Sequence, residues 1–493
     1  MTDAKPDSLA HRTVRNVAWL GSGQAIRQLV ALATMVVLAR FLGPSEFGIF
    51  AMTLFVNELA QLVVDFGVGA ALIQRKEINQ LVLSSCFWIN VAVAAMAAVV
   101  LIAAGPWIAS YFEQPAVRWL MFATGLNLLL SAMAVLPQAL LSRRLAFRDI
   151  AVCTLIGSLS GAATAIGLAV AGVGVWALAF QPLVGTLVTL LALALRARWL
   201  PDFSFQLAAV SGLLRFSGQL LLSSLVAHVT RNLTSLIIGP AMGVATLGLI
   251  NMAQTIAWLP VAQFSQTVVR ATFPVFAQLQ EEMDRFREGF YRATALVALL
   301  SFPLMMGIAV LAEDLLPVVF GSQWAPASIL VSIACAPALI QCVTTLSGTV
   351  LLATGRADLL LRISLLSLPT TGLLLWATRT ESATLAMSAL ALATAATSLV
   401  SLIAAKRAIG AEWHRYAAAV LVPAVCSLAM AALIYLAKAL VPDLPPTVRL
   451  IGFSIAGALI YFSMVWLVKR AAVLDAIRLL WRKAEAKPES TPR

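Results

Sequence analysis

Apolar residues in this chain come in long blocks separated by short loops that carry charge, proline or glycine, and this spacing constrains the fold more than any other feature. A helix rises about 1.5 Å per residue, so a block of about 20 residues spans the roughly 30 Å hydrocarbon layer of a bilayer. Strands of a membrane barrel would alternate in polarity, and runs such as 385–404 do not. Charged residues make up 11% of the 493 residues and apolar ones 61%, with a mean hydropathy of +0.93. A soluble domain carries about 25% charged residues and needs them to cover its surface. The pattern predicts an all-α integral membrane protein.

Fourteen spans are expected, near 17–39, 47–73, 81–104, 117–140, 150–171, 175–195, 216–238, 245–270, 293–311, 327–352, 359–377, 383–404, 417–437 and 450–468. With the N-terminus inside, seventeen Lys and Arg residues fall in inside loops, and only Arg40, Arg118, Arg379, Lys438 and Arg449 fall outside. Positive charge gathers on the cytoplasmic side, so both termini are expected there. The first span holds Gln24, Arg27 and Gln28 and lacks a small-residue cleavage site, which reads as a retained helix. Outside loops such as Gly105-Pro106-Trp107 place tryptophan at headgroup level. The longest polar stretch, 273–292, reads as a solvated connector, and no loop is long enough for an extramembrane catalytic domain. After the last span, 471–483 sets Val473, Ile477 and Leu480 opposite Arg470, Arg478 and Arg482, as in a surface-lying amphipathic helix.

One similarity recurs within the chain. Gly43-Pro44 leads through Phe47-Gly48 into a long helix, and Gly239-Pro240 leads through Leu247-Gly248 into another six spans later. An even separation gives both copies one orientation, as in transporters built from parallel repeats. The expected domains are a six-helix bundle at 1–200, a second at 201–410, two further spans at 411–470, and a cytoplasmic helix and tail at 471–493.

Ionisable groups near mid-span narrow the function further. Arg27, Glu58, His228 and Arg231 each cost about 2.5–3.5 kcal/mol at a helix centre, so they imply a pairing network or a wet cavity. Gln24, Arg27 and Gln28 share one helical face, Asn57, Gln61 and Asp65 form a stripe beside Glu58, and Asn251 and Gln254 lie on the eighth span. Two readings of the arginines stand: capture of a phosphate through their forked donors, or structural pairing with Glu58 or Asp65. Glu58, Asp65 and His228 are candidates for proton coupling or for a neutral interior role. The five cysteines all sit in apolar blocks without metal-ligand spacing, so neither a metal nor a cofactor is implied. The net charge of +12 is scattered along the loops, which speaks against nucleic acid.

The motif at 40–48, Arg-Phe-Leu-Gly-Pro-Ser-Glu-Phe-Gly, followed by 65–77, Asp-Phe-Gly-Val-Gly-Ala-Ala-Leu-Ile-Gln-Arg-Lys-Glu, resembles the signature of the bacterial polysaccharide transporter family. Phe273-Pro274-Val275-Phe276-Ala277, Phe290-Tyr291-Arg292 and 317–324 are similar to the same family in the same order. The resemblance runs from about residue 14 to at least 365 and is nearest to flippases of the colanic-acid and succinoglycan type. It implies the fold of the multidrug, oligosaccharidyl-lipid and polysaccharide exporter superfamily: two pseudo-symmetric six-helix bundles plus two C-terminal helices. It also implies a non-enzymatic flippase of the bacterial inner membrane, moving a polyprenyl-diphosphate-linked oligosaccharide outward for surface or exopolysaccharide synthesis. The partners it implies are membrane lipids, a polysaccharide polymerase and a chain-length regulator.

For that substrate Arg27 and Arg231 would hold the diphosphate, Arg231 on its chemistry alone, since the family is expected to have mainly amides there. Gln24, Gln28, Asn57, Gln61, Asn251 and Gln254 would line the path of the sugars, and Glu58, Asp65 or His228 would couple transport to protons or membrane potential. The rivals are drug efflux on the same fold and a membrane polymerase or ligase. The ligase class would need a large outside loop with catalytic Arg or His, and no such loop exists.

Overall fold

The computed structural model describes residues 6–64, 79–204, 206 and 211–485. Asp65 and the whole of the motif at 65–77 lie outside the described residues.

Among the described residues fourteen membrane-length helices follow one another: α1 Pro6–Phe41, α2 Pro44–Val64, α3 Gln80–Tyr111, α4 Pro115–Arg143, α5 Phe147–Val170, α6 Trp176–Ala197, α7 Ser211–Met242, α8 Val244–Gln278, α9 Met283–Leu315, α10 Ser328–Ala353, α11 Ala357–Thr378, α12 Ala383–Ile409, α13 Trp413–Leu440 and α14 Pro446–Glu485. Twelve carry a described stretch long and apolar enough to cross a membrane, and α2 and α7 complete the fourteen. The helices start where the local chemistry says they should. Pro44 and Pro115 open α2 and α4 at positions where a missing N–H costs nothing, and the Asn79 side chain accepts from Val82 N at 2.9 Å to cap α3.

Proline inside a span frees a carbonyl that lipid cannot satisfy, and the chain answers this in two ways. Val261–Ser265, directly after Pro260, and Leu316–Phe320, around Pro317, widen into π turns. At Pro240 and Pro303 a tyrosine supplies the missing donor instead. Tyr111 Oη donates to Leu236 O at 3.0 Å, and Tyr461 Oη donates to Leu299 O at 2.9 Å.

Packing gathers the chain into two compact units, Met1–Asn251 with Ser364–Ala383, and Met252–Ile363 with Thr384–Arg493. In the first, α5 and α6 approach closely at Gly157, Gly161 and Gly185. A Cβ on Gly157 would overlap the Thr189 side chain, and one on Gly161 would overlap Gln181 O. Small residues spaced four apart allow backbones this near without lipid between them.

The internal repeat appears here with a shifted register. Gly239-Pro240 lies in the last turn of α7, and the turn itself falls at Gly243, whose φ of +83° is glycine territory. Gly43 therefore matches Gly243, and Gly48 and Gly248 then sit at the same position of α2 and α8. These two glycines meet: a Cβ on Gly48 would overlap Val244 O, and one on Gly248 would overlap Pro44 O.

In the second unit, Asp314 of α9 is 2% exposed and accepts from Arg449 at 2.7 Å, with Lys438 Nζ at 3.3 Å. At the other end of this unit Arg415 pairs with Glu288 at 2.8 Å, and Arg287 Nε donates to Ile409 O at 2.6 Å. α13 is thus tied to α9 at both ends, and α14 is tied to it at its start. Lys438 and Arg449, two of the residues that the charge pattern leaves on the side poor in cations, are held in these pairs. Two others, Arg118 and Arg379, lie over the rings of Trp119 and Trp376.

Candidate functional site

Within the first unit, α1, α2, α4, α5 and α6 enclose a cavity of about 700 Å³, inside the range of roughly 300–1,000 Å³ typical of small-molecule sites. The α1 face expected from spacing is there: Gln24, Arg27 and Gln28 all line it, one turn above Ala31 and two above Thr34. Arg27 donates to the Gln24 side chain, which sets its direction. It is the one charged residue among those lining the cavity, and among the described residues no carboxylate pairs with it. An uncompensated guanidinium beside apolar walls favours an anionic ligand.

The rest of the wall mixes apolar residues such as Phe50, Leu54 and Leu120 with amides and hydroxyls. Asn57 of α2 lines the cavity as expected, whereas Gln61 stands behind it and donates to Ser131 Oγ, a lining residue, at 3.3 Å. Thr53 of α2, Thr124, Asn127, Ser131 and Gln138 of α4, Thr154 and Ser158 of α5, and Gln181, Thr186 and Thr189 of α6 complete the polar lining. Several hydroxyl protons are spent on the preceding turn: Thr34 on Val30 O at 2.7 Å, Ser131 on Asn127 O at 2.9 Å, Ser158 on Thr154 O at 2.9 Å and Thr189 on Gly185 O at 2.7 Å. Those oxygens keep acceptor capacity for a ligand's hydroxyls. Sequence reasoning passed over α4 to α6 because it followed the repeated turns to α7 and α8. The signal was present as polar residues at helical spacing, 127 and 131 on α4 and 154 and 158 on α5.

Four other expected residues lie elsewhere. Arg231 and Asn251 belong to α7 and α8 of the same unit but do not line the cavity, and Gln254 belongs to the second unit. Glu58 does not line it either; it faces His228 instead.

The Glu58–His228 pair is a distinct arrangement. His228 is 2% exposed, stacked on the Phe55 ring at 5.8 Å, with Nε2 3.1 Å from Phe55 O and Nδ1 3.3 Å from Glu58 Oε2. A carbonyl oxygen only accepts, so Nε2 is assigned the proton of that bond. Nδ1 then faces a carboxylate oxygen, and one further proton between them, on either atom, makes the contact attractive. Without it two lone pairs meet.

Comparison with known proteins places these features in a family. A family model described as "Polysaccharide biosynthesis protein" matches residues 37–329. Lipopolysaccharide biosynthesis protein WzxC of Escherichia coli K12 is 28% identical over 363 residues, which is 71% of this chain and 72% of that protein. Succinoglycan biosynthesis transport protein ExoT of Rhizobium meliloti is 31% identical over 320 residues, 65% of each chain. Among solved structures, the lipid II flippase MurJ in an inward closed conformation matches with a TM-score of 0.76 at 13% identity, over 92% of this chain and 99% of that one. An inward-facing multidrug resistance MATE family transporter of the MOP superfamily matches at 0.59 and 13% identity, over 80% and 98%. The two structural likenesses show a transporter fold shared with MurJ and MATE proteins. The family match spans more than half of the chain, and the protein belongs to the polysaccharide biosynthesis protein family.

Proposed function

We propose that this protein is a flippase that moves polyprenyl-diphosphate-linked oligosaccharide repeat units from the cytoplasmic to the periplasmic leaflet of a bacterial inner membrane, with both of its termini cytoplasmic. The observation that carries the reading is the cavity inside a membrane-spanning bundle, with one arginine amid amides and hydroxyls. A diphosphate-linked sugar is an anion attached to many hydroxyls, and no part of it can cross hydrocarbon unassisted. Arg27 takes the diphosphate, while Gln24, Gln28 and Asn57, with the α4 to α6 residues, bond the sugars; the polyprenyl tail stays in lipid. Gln61 supports this wall through Ser131. Arg231, Asn251 and Gln254 do not line this cavity. No bond in the substrate is made or broken. A cationic drug would meet Arg27 as a like charge, which disfavours the efflux reading.

Alternating access is driven by a proton or by membrane potential through Glu58 and His228. Loading a proton holds α2 to α7, and losing it turns the contact repulsive; Asp65 is the third candidate for this role. A polymerase and a chain-length regulator receive the flipped product.

The test is reconstitution. Proteoliposomes carrying the protein and a labelled lipid-linked oligosaccharide should expose the sugar to an outside glycosidase faster than protein-free vesicles, and an imposed pH gradient should change the rate. Equal exposure with and without the protein overturns the assignment.

A further inference from the structure

At one end of the first unit the ends of α4 and α6 and the start of α5 are knitted together. Arg144 donates to Ala197 O at 3.1 Å, and Arg196 pairs with Asp149 at 3.0 Å. Arg148 and Arg198 stand exposed on the same plate. Beyond Arg198 the chain crosses the start of α3 as an ordered strap. Trp199 Nε1 donates to Gln80 Oε1 at 2.7 Å, Trp88 Nε1 donates to Asp202 O at 2.8 Å, and Asp202 N donates to Ser84 Oγ at 2.9 Å.

This ordered strap presents Leu200 and Phe203 with 78% and 95% of their surface uncovered, and Phe203 is stacked on Trp88. Leu145, at 53%, does the same beside Arg144, and both Leu145 and Arg198 adopt positive φ, 54° and 50°. Elsewhere among the described residues positive φ falls on glycine, at 172, 174, 243, 321, 355 and 410, with Glu113 as the one other exception. Here it keeps a long side chain at a cost of about 1 kcal/mol each, so the side chains themselves are what the turns present.

Guanidinium groups beside uncovered apolar side chains, held rigid at a helix-end plane, have the chemistry of a membrane interface. We propose that this plate and strap form a binding site for an anionic phospholipid of the inner leaflet. Arg148 and Arg198 take its phosphate, and Leu145, Leu200 and Phe203 lie against its acyl chains. The site is separate from the cavity and stands or falls independently of the flippase reading; it uses only the inside placement of this end, which the arginine distribution supports.

The test is native mass spectrometry of the purified full-length protein, loaded with phosphatidylglycerol, phosphatidylcholine or undecaprenyl phosphate. Phosphatidylglycerol should be retained over phosphatidylcholine. Arg148→Gln with Arg198→Gln should lower its occupancy by roughly tenfold or more, Phe203→Ser should lower it to a smaller extent, and phosphatidylcholine retention should not change. A pair of lysines at 148 and 198 should hold it better than the glutamines. Equal retention of the two phospholipids, or variants that load like the parent, overturns the site. Undecaprenyl phosphate displacing phosphatidylglycerol in the parent but not in the glutamine variant also overturns it, because the plate then belongs to the substrate. Should the glutamine variants not fold, photo-cross-linking from position 200 replaces them, and equal labelling of both phospholipids is the negative result.

Discussion

Arg27 reaches its place because residues three and four apart share a helical face, and the same rule brings Gln24 and Gln28 into the cavity with it. Phosphate pairing needs both charge and fork geometry. Arg27→Ala should therefore abolish flipping in proteoliposomes, Arg27→Lys should keep part of it, and membrane abundance should stay at the parental level. Normal transport by Arg27→Ala would remove the diphosphate role. Arg231→Ala should have the smaller effect, since Arg231 does not line the cavity. This α1 face was legible in the sequence because a mid-span arginine stands out against leucine and alanine. Asn127 and Ser131 were not singled out, although their spacing is as regular, because an uncharged amide in a span is weak evidence until neighbouring helices are known to face it. Asn127→Leu should lower the rate for sugar-bearing substrate without changing the retention of undecaprenyl phosphate alone, read as a ratio of the two.

At the level of helices, length and polarity revealed the spans, but prolines blurred the turns. Gly239-Pro240 has the appearance of a turn, yet Tyr111 satisfies the carbonyl that Pro240 leaves open, so α7 continues to Met242. A hydrogen bond from a residue more than a hundred positions away cannot be read from local sequence. The same device at Pro303 gives a sharp expectation: Tyr461→Phe keeps the ring in its place, 1% exposed, and removes only the donor to Leu299 O. It should destabilise the protein by about 1–3 kcal/mol, seen as a lower melting temperature in detergent, because hydrocarbon offers that carbonyl no substitute. Gly48 is constrained differently, by backbone lying directly against it. Gly48→Ala must push α2 away from the start of α8. The variant should melt at a lower temperature in detergent than the parent, and an unchanged melting temperature would remove the close approach as a constraint.

For the molecule as a whole, the charge asymmetry and the ion pairs together explain why fourteen spans hold. The orientation proposed from the positive-inside rule puts Lys438 and Arg449 on the side poor in cations, where a cation calls for compensation. Asp314 supplies that compensation from α9, and Glu313 adds a second carboxylate 3.3 Å from Lys438 Nζ. The loop between α13 and α14 is therefore tied to the C-terminal end of α9, while Arg415 and Glu288 tie α13 to its N-terminal end. Reporter fusions should follow: at Lys406 and after Arg482 cytoplasmic, at Arg379 and Asp443 periplasmic. A periplasmic signal at Lys406 would overturn the fourteen-span arrangement. Asp314→Ala leaves two cations facing a buried position and should cost about 3–5 kcal/mol, because removing one member of a buried ionic cluster strands the others. The loss should appear as reduced folded protein after extraction, and Asp314→Ala combined with Lys438→Met and Arg449→Met should recover much of it. Recovery in the triple variant separates the tether from any role of Asp314 in transport, since a transport residue would stay inactive when stability returns.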